Sequence, residues 1–154
     1  DKDKYDVYYR VHAQSYGWLG WAKNGAPAGT AGYAKRLEGI TIRVSGDSNL
    51  GIRYKTHVQS YGWQDWKENG VMSGTTGEAK RLEAICIELT GANKDKYDVY
   101  YRVHAQTYGW LGWAKNGEKA GTEGLAKRLE AVQIVLVEKG GAAPGSTEKT
   151  FIKK

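Results

Sequence analysis

One pattern occurs three times in the 154-residue sequence, and this limits the possible folds more than any other feature. Tyr9-Arg10-Val11-His12-Ala13-Gln14-Ser15-Tyr16-Gly17-Trp18 aligns with Tyr54 to Trp63 and with Tyr101 to Trp110, at spacings of 45 and 47 residues. Each copy continues with a second Trp (Trp21, Trp66, Trp113), then Asn-Gly (Asn24-Gly25, Asn69-Gly70, Asn116-Gly117), then Gly-Thr-x-Gly from Gly29, Gly74 and Gly121. Ala-Lys-Arg-Leu-Glu follows, from Ala34, Ala79 and Ala126. Residues 3–25 and 95–117 differ only at Ser15 against Thr107, so no copy has been reshaped into an active site while the others kept a scaffold role. A period of this length marks supersecondary units that bury a shared core. The two extra residues of the longer spacing fall between Gly91 and Tyr101, in a polar connection where insertions are tolerated. Repeats of about 5–46, 50–91 and 97–138 are therefore expected within a single domain, followed by a tail, 139–154.

Within a copy, Val7 to Gln14 alternates, which places Val7, Tyr9, Val11 and Ala13 on one face and Tyr8, Arg10, His12 and Gln14 on the other. That is a strand. Asn-Gly is a strong hairpin signal, because both residues accept positive φ. Leu37 to Val44 alternates again and predicts a second long strand that ends at Gly46. The one stretch with helical spacing, Glu78 to Glu83, follows glycine and precedes β-branched residues, so strand or loop is expected there. One such unit cannot cover its own apolar face, whereas three can around a pseudo-threefold axis. The fold class is all-β. The length of the strands favours a β-prism with one sheet per repeat over the alternative, a β-trefoil, and without a distinct capping repeat an open solenoid is disfavoured.

The string Tyr-Arg-x-His-x-Gln-x-x-Gly-Trp, a second Trp three residues on, Asn-Gly, Gly-Thr-x-Gly and Arg-Leu-Glu-Ala-x-x-Ile resembles the clostridial hydrophobic repeat, ChW. The resemblance spans residues 7 to about 137, with small departures at Lys55, where the motif has Arg, and Gly39, where it has Ala. It implies a secreted or cell-surface protein of a Firmicute, in which such triplets accompany hydrolase, peptidase or adhesion modules and attach to wall or host ligands. The family carries no established catalytic residues, and none is transferred.

The formal net charge of +6 would draw anions, but the basic residues are spread through every repeat, so a solvated surface outweighs a polyanion patch and nucleic acid is not an expected partner. The single cysteine, Cys86, lies between Ile85 and Ile87 and reads as a small core residue. No apolar stretch approaches the length of a membrane span, so no membrane insertion is expected. Asp1-Lys2-Asp3-Lys4 recurs in part at Lys94-Asp95-Lys96 and reads as an excised linker, with any export signal upstream.

Few residues offer chemistry. His12, His57 and His104 occupy one position in three copies and are expected to be hydrogen-bonded on a strand; only their convergence on the axis would suit a metal, so neither metal nor cofactor is expected. Glu38, Glu83 and Glu130 each follow an Arg by two residues (Arg36, Arg81, Arg128), which predicts ion pairs on one face in place of the two cleft carboxylates of a glycosidase. No enzyme is expected. The aromatic residues are the candidates for binding, because flat rings stack on sugar C–H surfaces while Gln fixes hydroxyls. The candidate ligand-binding set is Trp21, Trp66, Trp113, Tyr16, Tyr61, Tyr108, Gln14, Gln59 and Gln106, with Trp18, Trp63 and Trp110 expected in the core. The expected partner is a glycan or surface polymer, or alternatively a host or surface protein.

In the tail, the segment after Ala142-Ala143-Pro144-Gly145 is expected to be disordered until Thr150-Phe151-Ile152, which comes near the place of Gly51 to Tyr54 in the repeat count. It is expected to pair beside the first repeat and close the ring. Because Ile85, Ile87 and Leu89 would lose their cover, residues 47–92 alone are predicted to be unfolded or aggregated, and a cooperative thermal melt of that fragment by circular dichroism would contradict the shared core.

Overall fold

The computed structural model describes residues 5–154; the linker-like Asp1 to Lys4 lie outside the described residues. The first repeat runs β1 (Asp6–Ala13), β2 (Gly17–Trp18), β3 (Ala22–Lys23), β4 (Ala28–Gly29) and β5 (Leu37–Ser45). The second repeats this as β6 (Gly51–Val58), β7 (Gly62–Trp63), β8 (Lys67–Glu68), β9 (Ser73–Gly74) and β10 (Leu82–Thr90). The third has β11 (Tyr97–Ala105), β12 (Gly109–Trp110), β13 (Ala114–Lys115), β14 (Ala120–Glu123) and β15 (Leu129–Glu138), and the tail ends in β16 (Phe151–Lys153).

In each repeat the two long strands pair antiparallel, from Asp6 opposite Ser45 to Ala13 opposite Leu37 in the first. The two short hairpin strands line the outer edge of β1, of β6 and of β11. The other edge of each sheet is completed by a neighbour: β9 pairs with β5, β14 with β10, and β4 with β15. The exchange is cyclic. The result is three separate sheets in a prism-like arrangement around a pseudo-threefold axis, without the closed barrel of a trefoil.

In β1 the alternation of the sequence is realised residue for residue, whereas β5 is buried on both faces from Leu37 to Ile42. Val7, Tyr9, Val11 and Ala13 are buried and their neighbours half-exposed, with the same pattern in β6. One apolar core draws on all three repeats, from Val7 and Ile42 through Ile52 and Ile87 to Val103 and Ile134. Its largest members are Tyr9, Tyr54 and Tyr101, and their hydroxyls need partners in so dry a place. Tyr54 donates to the Val71 carbonyl at 2.5 Å and accepts from the Ile42 amide of the first repeat at 3.1 Å, while Tyr9 and Tyr101 donate to the carbonyls of Ala26 and Glu118.

The Asn-Gly corners also join repeats. Asn24 sits at φ +47° and accepts from the Val7 amide through its side chain at 2.9 Å, which closes its own hairpin. The next amide, Gly25, donates to Ile134 in the third repeat at 2.7 Å; Gly70 to Ile42 and Gly117 to Ile87 are equivalent. Each turn therefore fastens the sheet beside it.

Two expectations for the tail are corrected. β16 runs parallel to β14, with Phe151 opposite Gly121, so it extends the sheet of β10 and does not reach the first repeat. The ring is closed by β4 instead, because that two-residue strand of the first repeat pairs with the edge of β15 in the third. The segment before β16 is held against the third repeat instead of being disordered, as described below.

Strand exchange requires the two backbones to approach at Gly29, Gly74 and Gly121. At Gly121, with φ +126°, a Cβ would lie 2.6 Å from Ala84 Cα and overlap the Glu83 carbonyl. Gly121→Ala is expected to destabilise the fold by about 1–3 kcal/mol or more in urea unfolding, from strain and overlap together. A silent substitution would show that this contact does not hold the repeats together.

Candidate binding faces

The Arg-Leu-Glu motif builds a lock. In the first repeat Gly39 lies opposite His12 and Leu37 opposite Ala13, so Glu38 is the extra residue of a β-bulge; Glu83 and Glu130 take the same place in theirs. The bulge re-aims a buried carboxylate. Glu38 Oε2 accepts from Arg36 Nε at 2.8 Å and Oε1 lies 3.0 Å from His12 Nδ1. The contacts of Glu83 with Arg81 and His57, and of Glu130 with Arg128 and His104, fall at 2.8–3.0 Å. In the second and third copies the histidine Nδ1 comes as close to the carboxylate without a directed hydrogen bond. Each imidazole then meets an indole edge-on, His12 with Trp18 at 5.4 Å and the other two likewise. The Arg–Glu pairs are those the spacing predicted, and each histidine stays with the glutamate of its own repeat. Among the described residues no group of three or more His, Cys, Asp or Glu is placed to hold a metal ion.

On the outer face the indoles alternate with cations. Arg10, which the parity of β1 points outward, sits between Trp18 and Trp21 at 5.0 and 4.9 Å, and Arg43 bridges Trp21 and Tyr8 at 5.1 and 4.4 Å. In the second repeat Lys55 lies between Trp63 and Trp66 at 5.5 and 4.9 Å, with Arg53 over Trp66 at 4.4 Å. Arg102 joins Trp110 and Trp113 in the third. Such contacts at partly exposed sites stiffen the strip and orient its rings. The sequence places Arg10 on this face, but these cations are not among the candidate binding residues, although strand parity together with the neighbouring Trp points to them.

The candidate residues divide into three groups. Tyr16, Tyr61 and Tyr108 are exposed at the hairpin corners. Gln14, Gln59 and Gln106 each accept from the backbone amide of the repeat's Arg at 3.2–3.3 Å. Together with Arg36, Arg81 and Arg128 they line an axial cleft of about 290 Å³ that contains no aromatic ring. The glutamines therefore do not join the indoles.

The indoles themselves depart from expectation. Trp18, Trp63 and Trp110 are half-buried, outside the apolar core, because their short strands pair along the edge of the sheet and lay the ring on the histidine of the outer face. Trp21 is 43% exposed and Trp66 half-buried, but Trp113 is only 6% exposed. The tail covers it: the Trp113 amide donates to the Ser146 carbonyl at 2.8 Å, and Gly145 packs against the ring. Two of the three faces are open.

A family model described as Clostridial hydrophobic W matches residues 12–46, 57–91 and 104–138. The chain belongs to the clostridial hydrophobic W family. Each ChW match starts at the histidine of the lock and runs to the end of the second long strand, so it contains the His–Glu–Arg lock, both indoles and the lent strand. No curated protein and no solved structure matches the chain.

Cys86 does not take the place in the ChW core expected for it: it pairs with the outward Lys55 and lies on the other side of β10 from the apolar core. It is buried there all the same, and burial pushes its thiol up to about 11. Because the thiolate is the reactive form, the native protein at pH 8 is expected to show no labelling by a disulfide reagent over minutes, with one thiol per chain appearing in denaturant. Rapid native labelling would place Cys86 at an accessible surface.

Proposed function

We propose that this chain is a non-catalytic extracellular adhesion module of a Firmicute, secreted or attached to the cell surface, that recognises cell-wall or host glycans through the open faces at Trp21 and Trp66. The observation that carries this reading is the ladder of indoles and cations on the outer face. Indole faces suit the C–H side of a pyranose, and the flanking guanidinium and ammonium groups suit its hydroxyls or acidic substituents. Two faces on one rigid body gain avidity on a repeating polymer. A non-catalytic role accords with the repeated carboxylates, since Glu38, Glu83 and Glu130 are each engaged by an Arg and a His. Nucleic acid and membrane insertion are not part of the proposal; no helix is long and apolar enough to cross a membrane among the described residues.

A protein ligand is the second reading. The tail on Trp113 favours it, because there the face already carries polypeptide.

Each open indole buried against a ligand is worth roughly 1–3 kcal/mol, at about 25 cal/mol per Å² removed from water. The single variants Trp21→Ala and Trp66→Ala are expected to weaken retention on isolated cell walls or mucin in part, and the double variant to abolish it with an unchanged circular dichroism spectrum. Full retention by a folded double variant would remove these faces from the site.

A further inference from the structure

In the third repeat, the chain's own tail shows what the groove beside the indole accepts. The amides of Gly112 and Trp113 donate to the carbonyls of Lys149 and Ser146 at 3.1 and 2.8 Å. The Gly121 amide donates to Thr150, and the Lys154 amide to Glu123, both at 3.0 Å, where β16 adds to β14. A Cβ on Gly112 would overlap the Glu148 carbonyl, so the tail lies directly on that glycine. Phe151 sits 5.2 Å from the Lys119 ammonium, and Ile152 packs against the core.

The first repeat has the same groove with no occupant. Leu19-Gly20-Trp21 matches Leu111-Gly112-Trp113, and Ala28-Gly29-Thr30 matches Ala120-Gly121-Thr122. Yet a Cβ on Gly20 would meet no atom within 4 Å, Trp21 is open, and the outer edge of β4 pairs with no strand among the described residues. The second repeat differs. There Gln64-Asp65 replaces Leu-Gly, and the Gln64 side chain accepts from the Gly74 amide at 2.9 Å, the bond that Thr150 accepts from Gly121 in the third repeat.

We propose that the groove of the first repeat, over Gly20 and Trp21 and along β4, is a docking site for an extended segment of a protein partner. In that segment small residues cross the indole and an aromatic–aliphatic pair then adds a parallel strand to β4. The inference rests on the polypeptide reading of these faces. Main-chain bonds to an unpaired edge supply affinity in such strand addition, and side chains supply selectivity. The tail of a second copy is a poorer occupant, because leaving its own groove forfeits the high effective concentration of an intramolecular ligand. Pro27 and Ala31 stand where the third repeat has Lys119 and Glu123, so the Lys153–Glu123 ion pair at 3.7 Å has no counterpart and the partner segment needs no basic end.

The test titrates a synthetic peptide of residues 143–154 into the intact chain and follows tryptophan fluorescence. One equivalent of saturable binding is expected. Gly20→Asp, which introduces the residue of the second repeat into open space, is expected to weaken it at least tenfold with an unchanged melting temperature. Binding that survives Gly20→Asp would overturn the groove assignment and leave polypeptide recognition standing, whereas no saturable binding at millimolar peptide would overturn both. A dimer in sedimentation that added peptide dissociates would give the groove to a second copy and overturn the assignment to a partner.

Discussion

The pairing of each repeat's lent strand with the long strand of its neighbour, as β4 with β15, is the contact on which the other features depend. It is only two residues long in the register of β4, but it closes the one sheet edge that the repeat's own hairpin leaves bare. Without it β5, β10 and β15 would each expose a row of backbone donors and acceptors at the rim of an apolar core. The Asn-Gly amides and the hydroxyl of Tyr54 bond to the same neighbouring strands, at Ile42, Ile87 and Ile134. Three independent classes of hydrogen bond therefore converge on one seam per pair of repeats. Close backbone approach there explains the first glycine of the Gly-Thr-x-Gly motif, since at Gly29, Gly74 and Gly121 a Cβ would run into the adjacent backbone, whereas the second, at Gly32, Gly77 and Gly124, holds the positive φ of a turn.

The bulged glutamate carries this order outward. Because Glu38 sits out of register, its carboxylate turns toward His12 and Arg36 and satisfies both while itself buried. Removing one member of such a set leaves a charge without its partner in a poorly solvated place, which costs more than the set contributes net. The imidazole, fixed on one side by carboxylate, presents its ring to Trp18, and Arg10 continues the stack to Trp21. The outer face is thus rigid from the bulge to the exposed ring, and a preordered aromatic face loses less conformational entropy when a ligand arrives.

How far the sequence could be read follows from the range of the forces involved. Strand parity is local, so Val7, Tyr9, Val11 and Ala13 could be assigned inward and Arg10 and His12 outward, and the Arg36–Glu38 pair followed from a spacing of two. The lent strands could not be read, because two residues carry no periodicity and their pairing spans whole repeats. The half-burial of Trp18 depends on β2 lying along the edge of β1, which the alternation of β1 does not specify. Trp21 and Trp113 mark the limit most clearly. They lie in stretches that differ at one position, yet their exposures are 43% and 6%, and the difference comes from tail residues more than 30 positions beyond Trp113.

That contrast also shows how three near-copies acquire different roles. The core and the seams require the repeats to stay alike, since a change at Tyr54 or Gly74 would disturb two sheets together. The outer faces are under no such restraint. In the second repeat Gln64 and Asp65 replace Leu and Gly at the rim of the core, where Leu19 and Leu111 pack in the other two, and Gln64 satisfies an amide that the tail satisfies in the third. In the first repeat neither device is present, and the glycine, the indole and the strand edge remain uncovered together. A chain whose interior enforces threefold symmetry has therefore made its three surfaces distinct by small changes at one hairpin corner and one terminal segment. The least modified of the three is the one that presents open backbone.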